Sequence, residues 1–191
     1  MSEIDRRTFL KSASALSAMG AMTMLGGAGP VWGQSAAGQE RPDVMRKPIP
    51  STGEEIPAVG MGSWITFNVG NDMELRDQCA DVMSAFFAAG GRMIDSSPMY
   101  GSAQDVIGYG LDKLGARDQV FSTDKIWTAG DGMEQLAETE ARWSLKKFDL
   151  LQVHNLLGIN ENLPLLFKLK DQGLLRYVGV TTSHGRRTED L

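Results

Sequence analysis

Short apolar runs alternate with longer stretches of helical periodicity from about residue 58 to residue 181, and this alternation limits the folds open to the chain. Strands that alternate with helices normally pair in parallel. Three of the runs end in polar, proton-handling residues: Met93-Ile94 leads into Asp95, with Tyr100 five residues on, Val120-Phe121-Ser122-Thr123-Asp124 into Lys125, and Leu150-Leu151-Gln152-Val153 into His154. In a β/α barrel the chemistry sits at the C-terminal ends of the strands. The spacing therefore aims Asp95, Tyr100, Lys125 and His154 at one rim, and points to an enzyme.

The remaining elements follow from turn and capping signals. Residues 38–46 read as a linker, and Ile49 to Pro57 has the turn chemistry of a short hairpin with Thr52-Gly53 at its tip. Ala58 to Trp64 is expected to be a first buried strand. Asp72 is a good N-cap for a helix in which Leu75, Cys79, Val82, Met83 and Phe86 form one apolar stripe, stopped by Gly90-Gly91. Further helices are expected over Ala103–Leu114, stopped by Gly115, from about Gly132 to Lys147, and around Leu163 to Asp171. Arg176 to Thr181 is a fifth strand, and Thr188 starts what reads as one more helical turn. No Gly-x-Gly-x-x-Gly follows the first strand, so the dinucleotide-binding fold lacks its fingerprint. Periodicity alone does not choose between an open doubly wound sheet and part of a barrel.

At 191 residues the chain can build one domain with a substantial core. A net charge of −5 without a Lys/Arg run gives no electrostatic support to nucleic-acid binding. The single Cys79, in an apolar stripe, reads as a small core residue. Residues 1–37 are different material: Arg6-Arg7-Thr8-Phe9-Leu10-Lys11, a modestly apolar middle, and small residues at Ser35-Ala36-Ala37. This pattern resembles a twin-arginine (Tat) export signal and predicts a periplasmic or otherwise exported protein that meets the Tat machinery. The apolar middle is short for a membrane span, so membrane contact is expected only through this segment if it stays uncleaved. Residues 38–191 form the folded part.

From Arg46 to His184 the chain resembles the aldo-keto reductases. The run Asp95-Ser96-Ser97-Pro98-Met99-Tyr100-Gly101 is similar to that family's Asp-x-Ala-x-x-Tyr-Gly motif, STDKIW at 122–127 to its lysine strand, and LLQVHN at 150–155 to its histidine strand. The hairpin, the GSW at 62–64 and RYVGVTTS at 176–183 fall in the family's order. The resemblance implies a (β/α)8 TIM-type barrel, of which about five of the eight strand–helix units lie in this sequence behind an N-terminal β-hairpin. It also implies an NADP(H)-dependent oxidoreductase that interconverts small-molecule carbonyls and alcohols. Carried over, Tyr100 donates a proton to the carbonyl oxygen, Lys125 lies beside it, Asp95 pairs with Lys125, and His154 orients the carbonyl. Gly62, Ser63, Trp64, Asp95, Thr181 and Thr182 would line the cofactor, and no metal is called for. The physical logic is independent of the family. A phenol is a weak acid at neutral pH, and an ammonium at ~4 Å is worth roughly 4 kcal/mol to the phenolate at an effective dielectric of ~20.

Taken singly, these residues have simpler roles: Asp95 a turn cap, Tyr100 a loop anchor, Lys125 a rim residue, His154 a hydrogen-bonded core imidazole. Their joint placement on consecutive strand ends argues for chemistry. Three features depart from the family pattern. Gln104 stands where a Glu is frequent, without expected catalytic effect. Thr181-Thr182 replaces a Ser-Asn pair that holds the nicotinamide carboxamide, and the strands whose loops hold the adenosine phosphate are not in the sequence. The last departure predicts an incomplete piece of a larger barrel. His184 reads as an exposed loop residue with no assigned role. A non-catalytic cofactor-binding or regulatory module on the same scaffold is the alternative. A metal-dependent barrel hydrolase is disfavoured by a chain with only two histidines.

Overall fold

Residues 44–190, apart from His184 and Arg186, are described by a computed structural model. The segment 1–37, read above as an export signal, and His184 lie outside the described residues.

An antiparallel hairpin comes first. Strand β1 (Arg46–Pro48) pairs with β2 (Glu55–Pro57), and Gly53 takes the positive φ of +72° that the turn needs. Five parallel strands follow in the order β3 (Met61–Gly62), β4 (Met93–Asp95), β5 (Phe121–Ile126), β6 (Phe148–His154) and β7 (Leu175–Thr181). Four helices connect them: α1 (Met73–Ala88), α2 (Ala103–Leu114), α3 (Gly132–Trp143) and α4 (Ile159–Asp171). Sequential order in an all-parallel sheet with a helix between successive strands is the arrangement of a partial (β/α)8-type barrel. No helix among the described residues is long and apolar enough to cross a membrane.

Local chemistry explains most boundaries. Asp72 accepts from the Leu75 N–H and Asp131 from the N–H groups of Met133 and Glu134, so each caps a helix start. Gly115 closes α2 in the left-handed conformation. The stripe predicted on α1 is the one that turns inward, with Cys79 and Met83 buried. Between helices and sheet, Ile107 and Leu111 of α2, Leu136 and Trp143 of α3 and Leu166 of α4 pack on Ile94, Leu151 and Val153. The edge of Trp143 meets the Phe148 ring at 5.5 Å.

Three expected boundaries move. The first strand shrinks to Met61–Gly62, and Ala58 and Val59 are exposed, because β3 has a neighbour on one side only and that neighbour, β4, is itself three residues long. Helix α3 ends at Trp143 rather than Lys147, since Ser144 flips to a left-handed φ of +54°. Helix α4 begins at Ile159, a turn before the expected start and upstream of Pro164. There the buried Asn162 donates to the carbonyls of Thr128 and Leu157, fixing that first turn against the loop after β5.

The hairpin docks at the N-terminal end of the sheet. Arg176, at the start of β7, pairs with Glu54 of the hairpin and with Asp149, and the Tyr177 hydroxyl donates to Glu54 at 2.6 Å. These bonds hold the Glu54 carboxyl below its ordinary range, chiefly through Arg176. The face opposite the strand C-termini is thus tied by polar bonds, which leaves the other end for chemistry.

Helices α2 and α3 approach most closely at Gly108. A Cβ there would fall inside the van der Waals radius of the Arg142 carbonyl oxygen, whereas at Gly110 it would meet the flexible end of the Met83 side chain. Gly108→Ala is therefore expected to lower stability by about 1–3 kcal/mol. Gly110→Ala is expected to come out near neutral, helix propensity offsetting the adjustment of Met83. Urea unfolding of both variants checks this, and equal costs would contradict it.

Candidate active site

Strand β5 is buried along its whole length, and its alternation sets up the site. Thr123 and Lys125 turn to one face, where both reach Asp95 on β4. Ser122, Asp124 and Ile126 turn to the other. Asp95 lies in register with Gly62 of β3 and Thr123 of β5, at the C-terminal end of its strand. His154 ends β6, in register with Thr181 of β7.

Lys125 is 5% exposed. Its ammonium donates to both Asp95 oxygens at 2.8 and 2.7 Å and to the Ser96 carbonyl at 2.7 Å. An ammonium has three donors, so its hydrogen-bonding capacity is filled. Its Nζ stands over the Tyr100 phenol ring, 5.2 Å from the centroid, within cation–π range. Its charge reaches Tyr100 through space and not through a hydrogen bond.

Tyr100 is held in a tight turn. Its N–H donates to the Ser97 carbonyl at 3.0 Å, and Gly101 follows with φ +62°. A Cβ on Gly101 would collide with Asn68, whose Oδ1 accepts from the Ser102 N–H and hydroxyl at 3.0 and 3.1 Å. Asn68 pins the loop carrying Tyr100, a role that sequence reasoning missed because the partner lies 34 residues away, at Ser102. The Ser96 and Ser97 hydroxyls are buried beside this turn with no hydrogen-bond partner among the described residues.

His154 is 6% exposed and its Nδ1 is hydrogen-bonded to Thr181 Oγ1. Burial pushes its pKa below the ordinary 6.5, the Lys125 charge acts in the same direction, and Asp95 opposes both. The imidazole is therefore neutral at neutral pH. After His154 the chain passes through two positive-φ residues, Asn155 and Leu156. Asn155 Oδ1 accepts from the Ser183 N–H and hydroxyl, which ties the ends of β6 and β7 together. No motif singled out that tie.

The six residues expected at a cofactor fall at this same end but are committed to different degrees. Asp95 is taken up by Lys125 and Thr123. Ser63 is fully buried and donates both its N–H and its hydroxyl to the Asp95 carbonyl. The Thr181 hydroxyl is engaged with His154. Thr182 is half-buried, Trp64 is 64% exposed, and a Cβ on Gly62 would meet nothing within 4 Å, so open space lies above that strand end. No three His, Cys, Asp or Glu side chains among the described residues are placed to hold a metal ion. Cys79 is buried in the core under α1, as its stripe predicts.

The opposite face of β5 carries a group the motifs did not flag. Asp124 is fully buried, and desolvation pushes its carboxyl up to about 6 against the hydrogen bonds of Gln104, the Lys125 N–H and Trp143. Gln104 is one of those donors, at 3.0 Å.

Among curated proteins, the chain is similar to the methylglyoxal reductase YeaE of Escherichia coli, 30% identical over 148 residues, covering 72% of this chain and 50% of that protein. It is likewise 30% identical over 146 residues to the glyoxal reductase of Bacillus subtilis, covering 73% of the chain and 50% of the relative. The chain thus spans about half the length of the curated relatives it matches. Among solved structures, an aldo/keto reductase of Klebsiella pneumoniae in complex with NADP and acetate superposes with a TM-score of 0.60 at 26% identity, over 72% of this chain and 49% of that one. The model of the aldo/keto reductase family matches residues 58–191. That stretch runs through every strand of the parallel sheet and through Asp95, Tyr100, Lys125 and His154, and on it the chain belongs to the aldo/keto reductase family.

Proposed function

We propose that this site serves NADP(H)-dependent interconversion of aldehydes or ketones with alcohols. One observation carries the reading: a buried ammonium, saturated by Asp95 and Ser96, faces the ring of a tyrosine, and its charge helps keep a histidine neutral. The names of the methylglyoxal and glyoxal reductases and the NADP of the Klebsiella structure support it. The open space above Gly62 and the polar groups of Thr181 and Thr182 fit the nicotinamide end of such a cofactor. When bound, the cofactor supplies the hydride, which no side chain can.

The chain's own residues handle the proton and the geometry. Tyr100 gives its hydroxyl proton to the carbonyl oxygen as general acid. The Lys125 charge stabilises the phenolate left behind, and Asp95 holds that ammonium in place at little cost in net buried charge. For this role the Thr181 hydroxyl donates to Nδ1, which places the His154 proton on Nε2, where it is offered to the carbonyl oxygen and orients the substrate without competing as an acid. Trp64, just past β3, and Trp127, just past β5, stand exposed and offer apolar walls. We further propose that residues 1–37 direct twin-arginine export.

Three outcomes are expected. Tyr100→Phe should lower NADPH-dependent aldehyde reduction by about 10²–10⁴-fold while NADPH binding, read by cofactor fluorescence, persists. Cofactor binding without turnover in the unaltered protein would instead favour the non-catalytic module. His154 should titrate below 6.5 by NMR. Because the folded value is depressed, its contribution to stability is full above the unfolded value of 6.5 and is lost as pH falls through the folded one. A midpoint above 6.5 would sink the neutral-imidazole role. Replacing Arg6 and Arg7 by lysine should retain the protein in the cytoplasm on cell fractionation; unchanged export would remove the Tat assignment.

A further inference from the structure

Two helices grip the strand that bears Lys125, and they do so through one carboxylate. Asp124 Oδ1 accepts from the Lys125 peptide N–H at 2.7 Å. Its Oδ2 accepts from Gln104 Nε2 of α2 at 3.0 Å and from Trp143 Nε1 of α3 at 2.7 Å. Gln104 is itself locked, donating also to Thr139 Oγ1 and accepting from Arg142 at 3.2 Å each. The carboxylate, the amide and the indole are all buried, and the three groups that bond Asp124 are all donors. An ionised carboxylate, which only accepts, matches that set; a protonated one would bring an O–H with no acceptor to meet it. A side chain serving as mere filling at this position would be satisfied more simply by an apolar residue packed on Trp143, with no charge to desolvate.

We propose that Asp124 is a positioning residue for Lys125: by clamping the peptide between them to α2 and α3, it fixes the point on β5 from which the ammonium reaches Asp95, the Ser96 carbonyl and the Tyr100 ring. This rests on the catalytic reading given above, since it concerns the placement of the lysine used there. Gln104 then belongs to the same device. Its amide supplies a donor to the carboxylate, where a glutamate would have brought a second negative charge.

The clamp depends on ionisation. The carboxyl is pushed up to about 6 by burial, so acidification replaces one acceptor lone pair with a proton that has no acceptor facing it. The groups around it are Gln104, neutral, from α2; Arg142 from α3, reached through Gln104 and also paired with Glu138; and Lys125 on its own strand. Beyond Lys125 lie Asp95 on β4 and His154 on β6.

NMR of the full chain carrying ¹³Cε-lysine and ¹⁵N-tryptophan tests the proposal, with kinetics alongside. In the unaltered protein the Trp143 indole and the Lys125 Cε resonances should shift together with one midpoint near 6. In Asp124→Asn that shared component should vanish, leaving only the influence of His154. Turnover should fall about tenfold or more through kcat, with KM for the carbonyl little changed, as expected of a misplaced catalytic group. The double variant Gln104→Glu/Asp124→Asn, which returns the carboxylate from the helix side, should recover the Lys125 resonance and most of kcat. A Trp143 titration that leaves Lys125 unmoved overturns the proposal, as does an Asp124→Asn variant with the unaltered Lys125 resonance and kcat. Should no form turn over, the Lys125 resonance still decides positioning. Should Asp124→Asn not fold, the paired titrations of the unaltered protein decide it.

Discussion

A strand reading Ser122-Thr123-Asp124-Lys125 is buried on both faces, and the rest of the molecule is arranged to satisfy it. Leaving any one of these groups without a partner would cost about 1–3 kcal/mol, and more for the charged ones. The partners come from the two flanking strands and two helices: Ser122 is met by Asp149 of β6, Thr123 by Asp95 of β4 and Gln152 of β6, Asp124 by α2 and α3, and Lys125 by Asp95 and the Ser96 carbonyl. Neighbouring strands and two helix faces are thereby fixed relative to one another by a single polar segment. The apolar layer around Trp143, Ile107 and Leu151 supplies the burial that makes those bonds matter.

The pleat of that strand separates two charges that neighbour each other in sequence. Lys125 turns toward the site and Asp124 toward the helices, each neutralised or hydrogen-bonded on its own side. Burial of β5 along its whole length makes this possible, since either side of that strand is dry enough for a hydrogen bond to carry weight. The two ends of the sheet divide labour in a similar way. The N-terminal end is closed by the hairpin and the Arg176–Glu54–Tyr177 bonds. The C-terminal end has positive-φ residues at Gly101, Asn155 and Leu156 around the tyrosine and histidine, and the two that are not glycine hold strain that fixes side-chain aim.

Local signals in the sequence carried a large part of this. The helix caps at Asp72 and Gly115 are short-range hydrogen bonds and backbone preferences, so a few residues suffice to specify them. The alternation of strands and helices likewise implied the parallel order. Boundaries failed where a distant partner decides. The first strand is shortened by a short neighbour, α3 is cut by the flip at Ser144, and α4 is extended upstream of Pro164 by the reach of Asn162 to Thr128. The supports of the site at Asn68, Asn155 and Gln104 were invisible for the same reason, since their partners are 34, 28 and 20 residues away.

By itself the sequence determined which residues stand at the strand ends, because period-two and helical patterning and the spacing of Asp95, Tyr100, Lys125 and His154 are properties of the chain order. The tertiary structure alone decided how those residues meet. It put the ammonium over the phenol ring with its hydrogen bonds spent on Asp95 and Ser96, gave Nδ1 of His154 to Thr181, and turned Asp124 into the helix layer. Each of these is set by hydrogen-bond geometry and desolvation between segments far apart in sequence, which linear spacing does not encode.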